Sequence, residues 1–211
     1  MRGFLILLVL LFAGQAMAQP RWESFAAEKS SLQLHAPDLP MLPSRAQELR
    51  GGNPGVRAFE YIWGKPLASA PFADVLVFQQ AKLDYYYTRE PDYLVQIPAA
   101  LTYLKARDPQ FGAEEFSVVA PLGLLKYRTL SLGSRHCLGF GGLFGVVQGA
   151  VSFTGGSVPK GNHWIYGVYC PEAGQRLTPE GARYIMEGFG WSDIGLAKPD
   201  RAAPAAIAVA Q

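Results

Sequence analysis

Between residues 56 and 170 the chain alternates apolar and polar positions over short runs parted by glycine and proline, the period of half-buried β-strands. The run "VRAFEYIW" at 56–63 is aromatic and β-branched and is followed by Gly64 and Pro66, which predicts a strand. In "ADVLVFQQAKLDYYYT" at 73–88, Val75, Val77, Ala81, Leu83, Tyr85 and Tyr87 share one side, interrupted by Gln79. The other side carries Asp74, Gln80, Lys82, Asp84 and Thr88, with Leu76, Phe78 and Tyr86 among them, so a single long strand is expected. "DYLVQI" reads as a further short strand, and "FSVVA", "LLKYRTLSL", "AVSFT" and "HWIYGVYC" continue the series, with Pro121 and Gly123 parting the first two of these four.

Three stretches instead have helical spacing. In "RWESFAAEKSSLQ" at 21–33, Trp22, Phe25 and Ala26 fall on one face. Pro98 opens "PAALTYLKAR", where proline at the first helical position gives up a donor the helix does not use, and Lys105 and Arg107 suit its negative end. Near the C-terminus Thr178 is a candidate cap, Pro179 and Glu180 suit a first turn, and Ala182, Ile185, Met186 and Phe189 recur at helical spacing until Gly188 or Gly190. Strands in series with two or three helices, without regular β-α-β alternation, indicate an α+β fold: a mainly antiparallel sheet with helices on one face, among them a C-terminal amphipathic helix.

The two ends read differently from this body. "MRGFLILLVLLFAGQAMA" places Arg2, an apolar run of about ten residues, and Ala16 and Ala18 in the order of a secretory signal peptide, which predicts cleavage after Ala18. The run is shorter than the roughly 20 apolar residues of a membrane-spanning helix, and no transmembrane segment is expected in the mature chain. Residues 19–55, with Pro37, Pro40, Pro43, Pro54, Gly51, Gly52 and Gly55, read as an extended Pro/Gly-rich segment. Residues 56–196 form the globular domain, and the Ala/Pro-rich 197–211 reads as a disordered tail. Without residues 1–18 the net charge is about +1, which exerts no long-range pull on nucleic acid or anionic lipid.

Export decides the reading of the cysteines. Cys137 and Cys170 are the only two in the chain, and an even count in an oxidising compartment predicts a bridge between them. Closing a loop of about 34 residues contributes roughly 4 kcal/mol on the chain-entropy model. Within "HWIYGVYC", Trp164, Tyr166, Val168 and Cys170 lie on one side, which turns the thiol toward the aromatics. His136 stands beside Cys137, but neighbours on a strand point to opposite faces and do not make a catalytic pair. A haem-attachment C-x-x-C-H run is absent, three scattered histidines and two cysteines do not supply a zinc site, and no cofactor or metal is expected.

"GFGGLFG" at 139–145 has the glycines of a dinucleotide fingerprint but not its setting, since no acidic residue occurs between Glu115 and Glu172. A glycine-kinked strand or loop beneath bulky aromatics is the expectation. His35, His136 and His163 stand apart from one another, and Glu114-Glu115 reads as a solvated pair before a strand. The more distinctive surface candidate is aromatic: Tyr85 and Tyr87 on one face of their strand, with Trp164 after the turn "TGGSVPKGN", offer a binding platform. The alternative is two-sided packing of a central strand.

"HCLGF" followed by "GVYCPEAGQRLTPEGARYIMEGFG" resembles uncharacterised exported proteins of Gram-negative bacteria, in which a second cysteine ends a strand before a small-residue turn and a final helix. The resemblance covers the last third of the chain and implies no activity. The expected function is therefore a periplasmic or secreted non-catalytic domain that binds a small ligand or an envelope protein. The alternative is a periplasmic, hydrolase-like enzyme with a dispersed active site. A deep pocket that gathers His136 or His163 with a carboxylate favours the enzyme, and an exposed aromatic patch without such a cluster favours binding or assembly.

Overall fold

Alternation along the strands sorts their side chains onto two faces of one sheet, and both faces are covered. The computed structural model describes residues 19–53, 55–80, 92–146, 161–195 and 202–210. In chain order the elements are β1 (Arg21–Phe25), β2 (Leu32–Leu34), β3 (Arg45–Arg50), β4 (Val56–Trp63), β5 (Phe72–Gln80), α1 (Tyr93–Ala100), α2 (Thr102–Lys105), β6 (Gln110–Phe111), β7 (Phe116–Ala120), β8 (Gly123–Leu132), β9 (Arg135–Val146), β10 (Gly161–Cys170), β11 (Gln175–Leu177), α3 (Pro179–Glu187), β12 (Phe189–Trp191) and β13 (Ala208–Ala210). The main sheet runs β1-β3-β4-β5-β10-β9-β8, with β6 and β7 both pairing the outer side of β8. Its pairings are antiparallel, and two small sheets, β2–β12 and β11–β13, complete a mainly antiparallel fold with three helices and one disulfide.

One face of the main sheet presents Phe59, Tyr61 and Trp63 of β4, Val75 and Val77 of β5, Ile165 and Tyr169 of β10, and Leu138, Phe140 and Phe144 of β9. Against it pack Leu32 and Leu34 of β2, Ile185 and Met186 of α3, and Phe189 and Trp191 of β12, all buried. The other face presents Phe72 and Leu76 of β5, Tyr166 and Val168 of β10, Leu130 of β8 and the disulfide, beneath Tyr93 and Ile97 of α1 and Leu101 and Leu104 around α2. Helices therefore cover both faces and are not confined to one.

The bridge joins the neighbouring strands β9 and β10, with Cα atoms 4.2 Å apart. Their register pairs Tyr169 with Leu138, so Cys170 falls directly opposite Cys137. The glycines that follow Cys137 are explained by what lies above them. A Cβ on Gly141 would meet Tyr93 Cβ at 2.7 Å, and one on Gly139 would run into the Phe111 ring. "GFGG" is thus a strand that lets α1 and Phe111 settle directly onto backbone, while the intervening Phe140 fills the opposite core.

Several local expectations change. The 21–25 stretch is strand β1, because its Phe25 packs edge-on to Phe59 and Tyr61 across the sheet, a long-range contact that outweighs the i, i+3, i+4 spacing. "DYLVQI" is the start of α1: Tyr93, Ile97, Leu101 and Leu104 make a single apolar stripe, and the uncovered face of β9 and β10 selects a helix there. Pro98 sits inside α1 and withholds the donor that would bond the Leu94 carbonyl, and the helix stops at Ala100.

The boundary at 56 is overrun, since β3 pairs with β4 and β2 pairs with β12. Tyr169 donates to Asp38 Oδ2 at 2.5 Å, tying the same N-terminal segment to β10. At the other end, Phe189 lies in β12 beyond α3, and Ala208–Ala210 pair with β11 although the stretch was read as tail. Ile207 packs against the core and its carbonyl accepts from Thr178 N. The expected extension of the β5 strand through Tyr85 and Tyr87, the strand "AVSFT" and the signal sequence lie outside the described residues.

Two stability outcomes follow. Replacing both cysteines with alanine is expected to destabilise the protein by about 2–5 kcal/mol in chemical denaturation, with no free thiol titrating in the native parent. Gly141→Ala is expected to cost about 1–3 kcal/mol, because the added methyl overpacks against Tyr93. Equal denaturation midpoints for that variant and the parent would place α1 off the sheet.

Candidate functional site

At the β8 edge the sheet and α3 diverge and leave an open cleft of about 1540 Å³. One wall comes from the strand alternation of β7–β9: Phe116 and Val118, then Tyr127, Thr129 and Ser131, then His136 and Leu138. The other is Ala182, Arg183 and Glu187 of α3, with Arg176 and Leu177 of β11 and Val209 of β13. Thr178 holds this second wall in place. Its Oγ1 accepts from Gly181 N at 2.9 Å and lies 3.1 Å from the Ala206 carbonyl oxygen, joining the start of α3 to the segment before β13.

Much of the floor is apolar. Phe116 stacks on Tyr127 with centroids 5.4 Å apart, and Phe116 and Val209 remain exposed. Burial pushes the Tyr127 phenol up, with Arg183 opposing the shift and Glu187 adding to it. Arg183 Nε in turn donates to Glu187 Oε1 at 2.7 Å, one turn along α3. The polar end holds Ser131 and His136, directly opposite each other across β8 and β9. Among the described residues no hydrogen bond or ion pair joins His136 to a carboxylate, although Glu114, Glu180 and Glu187 all line the cleft.

Cys137 and His136 are on opposite faces, as strand geometry requires: the thiol is in the bridge under α1, and the imidazole is in the cleft. Trp164 is half-buried on β10, opposite Phe78 and Leu143, and does not line the cleft. Tyr85 and Tyr87, its companions in the expected platform, lie outside the described residues. His163 is packed into the core at the far end of β10. Its ring stacks on Phe144 at 4.6 Å and meets Trp191 at 5.0 Å, and Nδ1 donates to Asn162 Oδ1 at 2.6 Å. Burial pushes its pKa down to about 4, with Asp193 opposing, and it stays neutral at physiological pH.

A second cluster was not foreseen. Asp74 of β5 is 1 % exposed, between Phe72 and Leu76 on the face covered by α1 and α2, and its Oδ1 has no hydrogen-bond partner. Tyr103 of α2 lies beside it, and burial, then the Asp74 carboxyl, push the Tyr103 phenol up. On the same face of β4, Glu60 accepts from Gln47 Nε2 and lies 3.6 Å from Arg45 Nη2. Burial, then the Glu60 carboxylate, push Asp74 up to about 7, with Tyr103 and Arg45 pulling the other way. The sequence signal was a lone aspartate in "FADVLVF", a run whose every residue from Phe72 to Val77 is buried.

Asp74 and His163 oppose one another in pH. The raised Asp74 pKa means that the native state holds a proton the unfolded chain has released between about pH 4 and 7. Its contribution is complete below that window and is lost as pH rises through it. The lowered His163 pKa acts in reverse: stability is complete above about 6.5 and is lost as pH falls toward 4. Asp74→Asn is therefore expected to match the parent near pH 4 and to exceed it by at least about 1 kcal/mol at pH 8, since it removes an ionised buried carboxyl. Denaturation at the two pH values checks this, and a parent more stable than the variant at pH 8 would refute it.

Family models, curated proteins and solved structures were compared with the chain, and none matches.

Proposed function

We propose that this protein is an exported, non-catalytic binding domain of the cell envelope that takes its ligand in the cleft between β7–β9 and α3. Residues 1–18, in signal-peptide order, and the oxidised Cys137–Cys170 pair both suit a periplasmic or secreted site of action. The observation that carries the binding reading is the lining of the cleft. Exposed Phe116 and Val209 stand beside the buried floor of Val118, Tyr127 and Leu138, with charged groups held at the rim, the composition of a recognition surface. The tyrosine platform of Tyr85, Tyr87 and Trp164 belongs to this proposal as a second contact area.

Two observations favour the hydrolase-like alternative: Ser131 and His136 face each other across two strands and both line the cleft, and Glu114, Glu180 and Glu187 line the same cleft as His136. The roles of Ser131 and His136 would be nucleophile and base.

Native mass spectrometry of the exported protein separates the two readings. A ligand or partner retained by the parent is expected to be lost from Phe116→Ala and Val209→Asp, whose exposed positions leave stability within about 0.5 kcal/mol of the parent. Retention unchanged in both variants would move binding away from the cleft. Turnover of an ester or amide substrate that disappears in His136→Ala would replace the binding reading with the enzymatic one.

A further inference from the structure

The two edges of the main sheet are protected unequally. On β1 the edge is charged: Arg21 and Glu23 pair at 2.6 Å, and Arg50 of the neighbouring β3 lies 3.7 Å from Glu23. Such charges discourage another strand from pairing there. β7, "FSVVA", has none of these devices within Phe116–Ala120. It carries no charge, proline or glycine, and among the described residues it pairs with β8 alone.

Val119 and Ser117 lie on the sheet face that carries α1 and α2, but at an end those helices leave exposed. Val119 is 76 % exposed and stands opposite Leu124, itself 42 % exposed, while Ser117 stands opposite Lys126. On the cleft side Phe116 stands opposite Tyr127 and is likewise exposed. An apolar rung, a polar rung and an aromatic rung are thus ready to be extended by one more strand. Glu114, exposed and in no ion pair among the described residues, stands just ahead of β7 and also lines the cleft.

We propose that β7 is a strand-addition site, at which an extended segment of another polypeptide pairs with Phe116–Ala120 and sets a basic side chain against Glu114. Resting on the binding reading above, this names the class of partner. Only a polypeptide in β conformation supplies alternating donors and acceptors to a free strand edge, so the edge selects backbone, the Val119–Leu124 rung selects an apolar side chain, and Glu114 selects the charge. α3 covers the inner flank of β7, where Val118 and Ala120 are buried, so the strand enters from the open side.

The probe is an end-capped eight-residue peptide of alternating valine and threonine with one terminal lysine. Its control carries N-methyl groups on every second amide. Both are titrated against the full chain by fluorescence anisotropy, with amide exchange followed at residues 116–120. Saturable binding of the first peptide, at least tenfold slowing of exchange within Phe116–Ala120, and no binding of the control are expected. Glu114→Lys should weaken binding about twofold to fivefold at low salt, an effect that fades as salt is added. Val119→Lys, which places a charge on the open rung, should abolish it without shifting the melting temperature.

Binding without exchange protection, or equal binding of both peptides, would overturn strand addition. Exchange already slow at 116–120 in a concentration-dependent dimer would overturn it too, by making a second copy of the chain the occupant. Ligand retained in the cleft while β7 exchanges freely would sink this inference and leave the binding domain standing. Turnover lost in His136→Ala would sink the binding domain, and strand addition with it.

Discussion

Everything in this molecule is arranged around the pairing of β9 with β10. Because side chains alternate along a strand, a slip of one residue between these two would exchange the contents of both cores. The bridge forbids that slip by holding Cys170 opposite Cys137. With register set, Phe140 and Phe144 meet α3 and β12 on one side, while Gly139 and Gly141 admit Tyr93 and Phe111 on the other. The covalent link is therefore informational as well as energetic. It decides which residues are interior to which layer.

What was legible in the sequence was what depends on near neighbours. The run 56–63 is β4 to the residue, and "FSVVA" and "LLKYRTLSL" are hairpin partners joined at Pro121 and Leu122. The even cysteine count, read together with the expected export, predicted the Cys137–Cys170 bridge. What was not legible depends on distant partners. β2 is three residues long and exists because β12 lies beside it, and β13 exists because β11 does. Asp74 shows the same limit in the site chemistry: a polar residue on the nominally polar side of an alternating strand gave no warning that α2 would close over it. The cleft residues come from six separate elements; His136 stood out in the sequence for its proximity to a cysteine and Glu114 as half of a charged pair, neither for the cavity they line.

Two kinds of polar group are handled in contrasting ways. At the β1 edge, Glu48 is nearly buried yet reaches both Arg50 at 2.7 Å and Arg57 at 2.9 Å, and its charge is met where it stands. Asp74 and His163 are buried without such partners, and burial favours their neutral forms instead: Asp74 retains its proton below about pH 7, and His163 refuses one above about pH 4. The cleft follows neither pattern. Its charges stand at the rim, where water screens them, and its floor is left to apolar contact.

The pairing of β2 with β12 has a kinetic meaning. Leu32 and Leu34 are made well before the strand that completes them, Phe189–Trp191. Long loops are costly to close before their contacts form, so this part of the core stays unfinished until β12 has been made. Until then it stays pliable. That condition ends only when β12 pairs with β2.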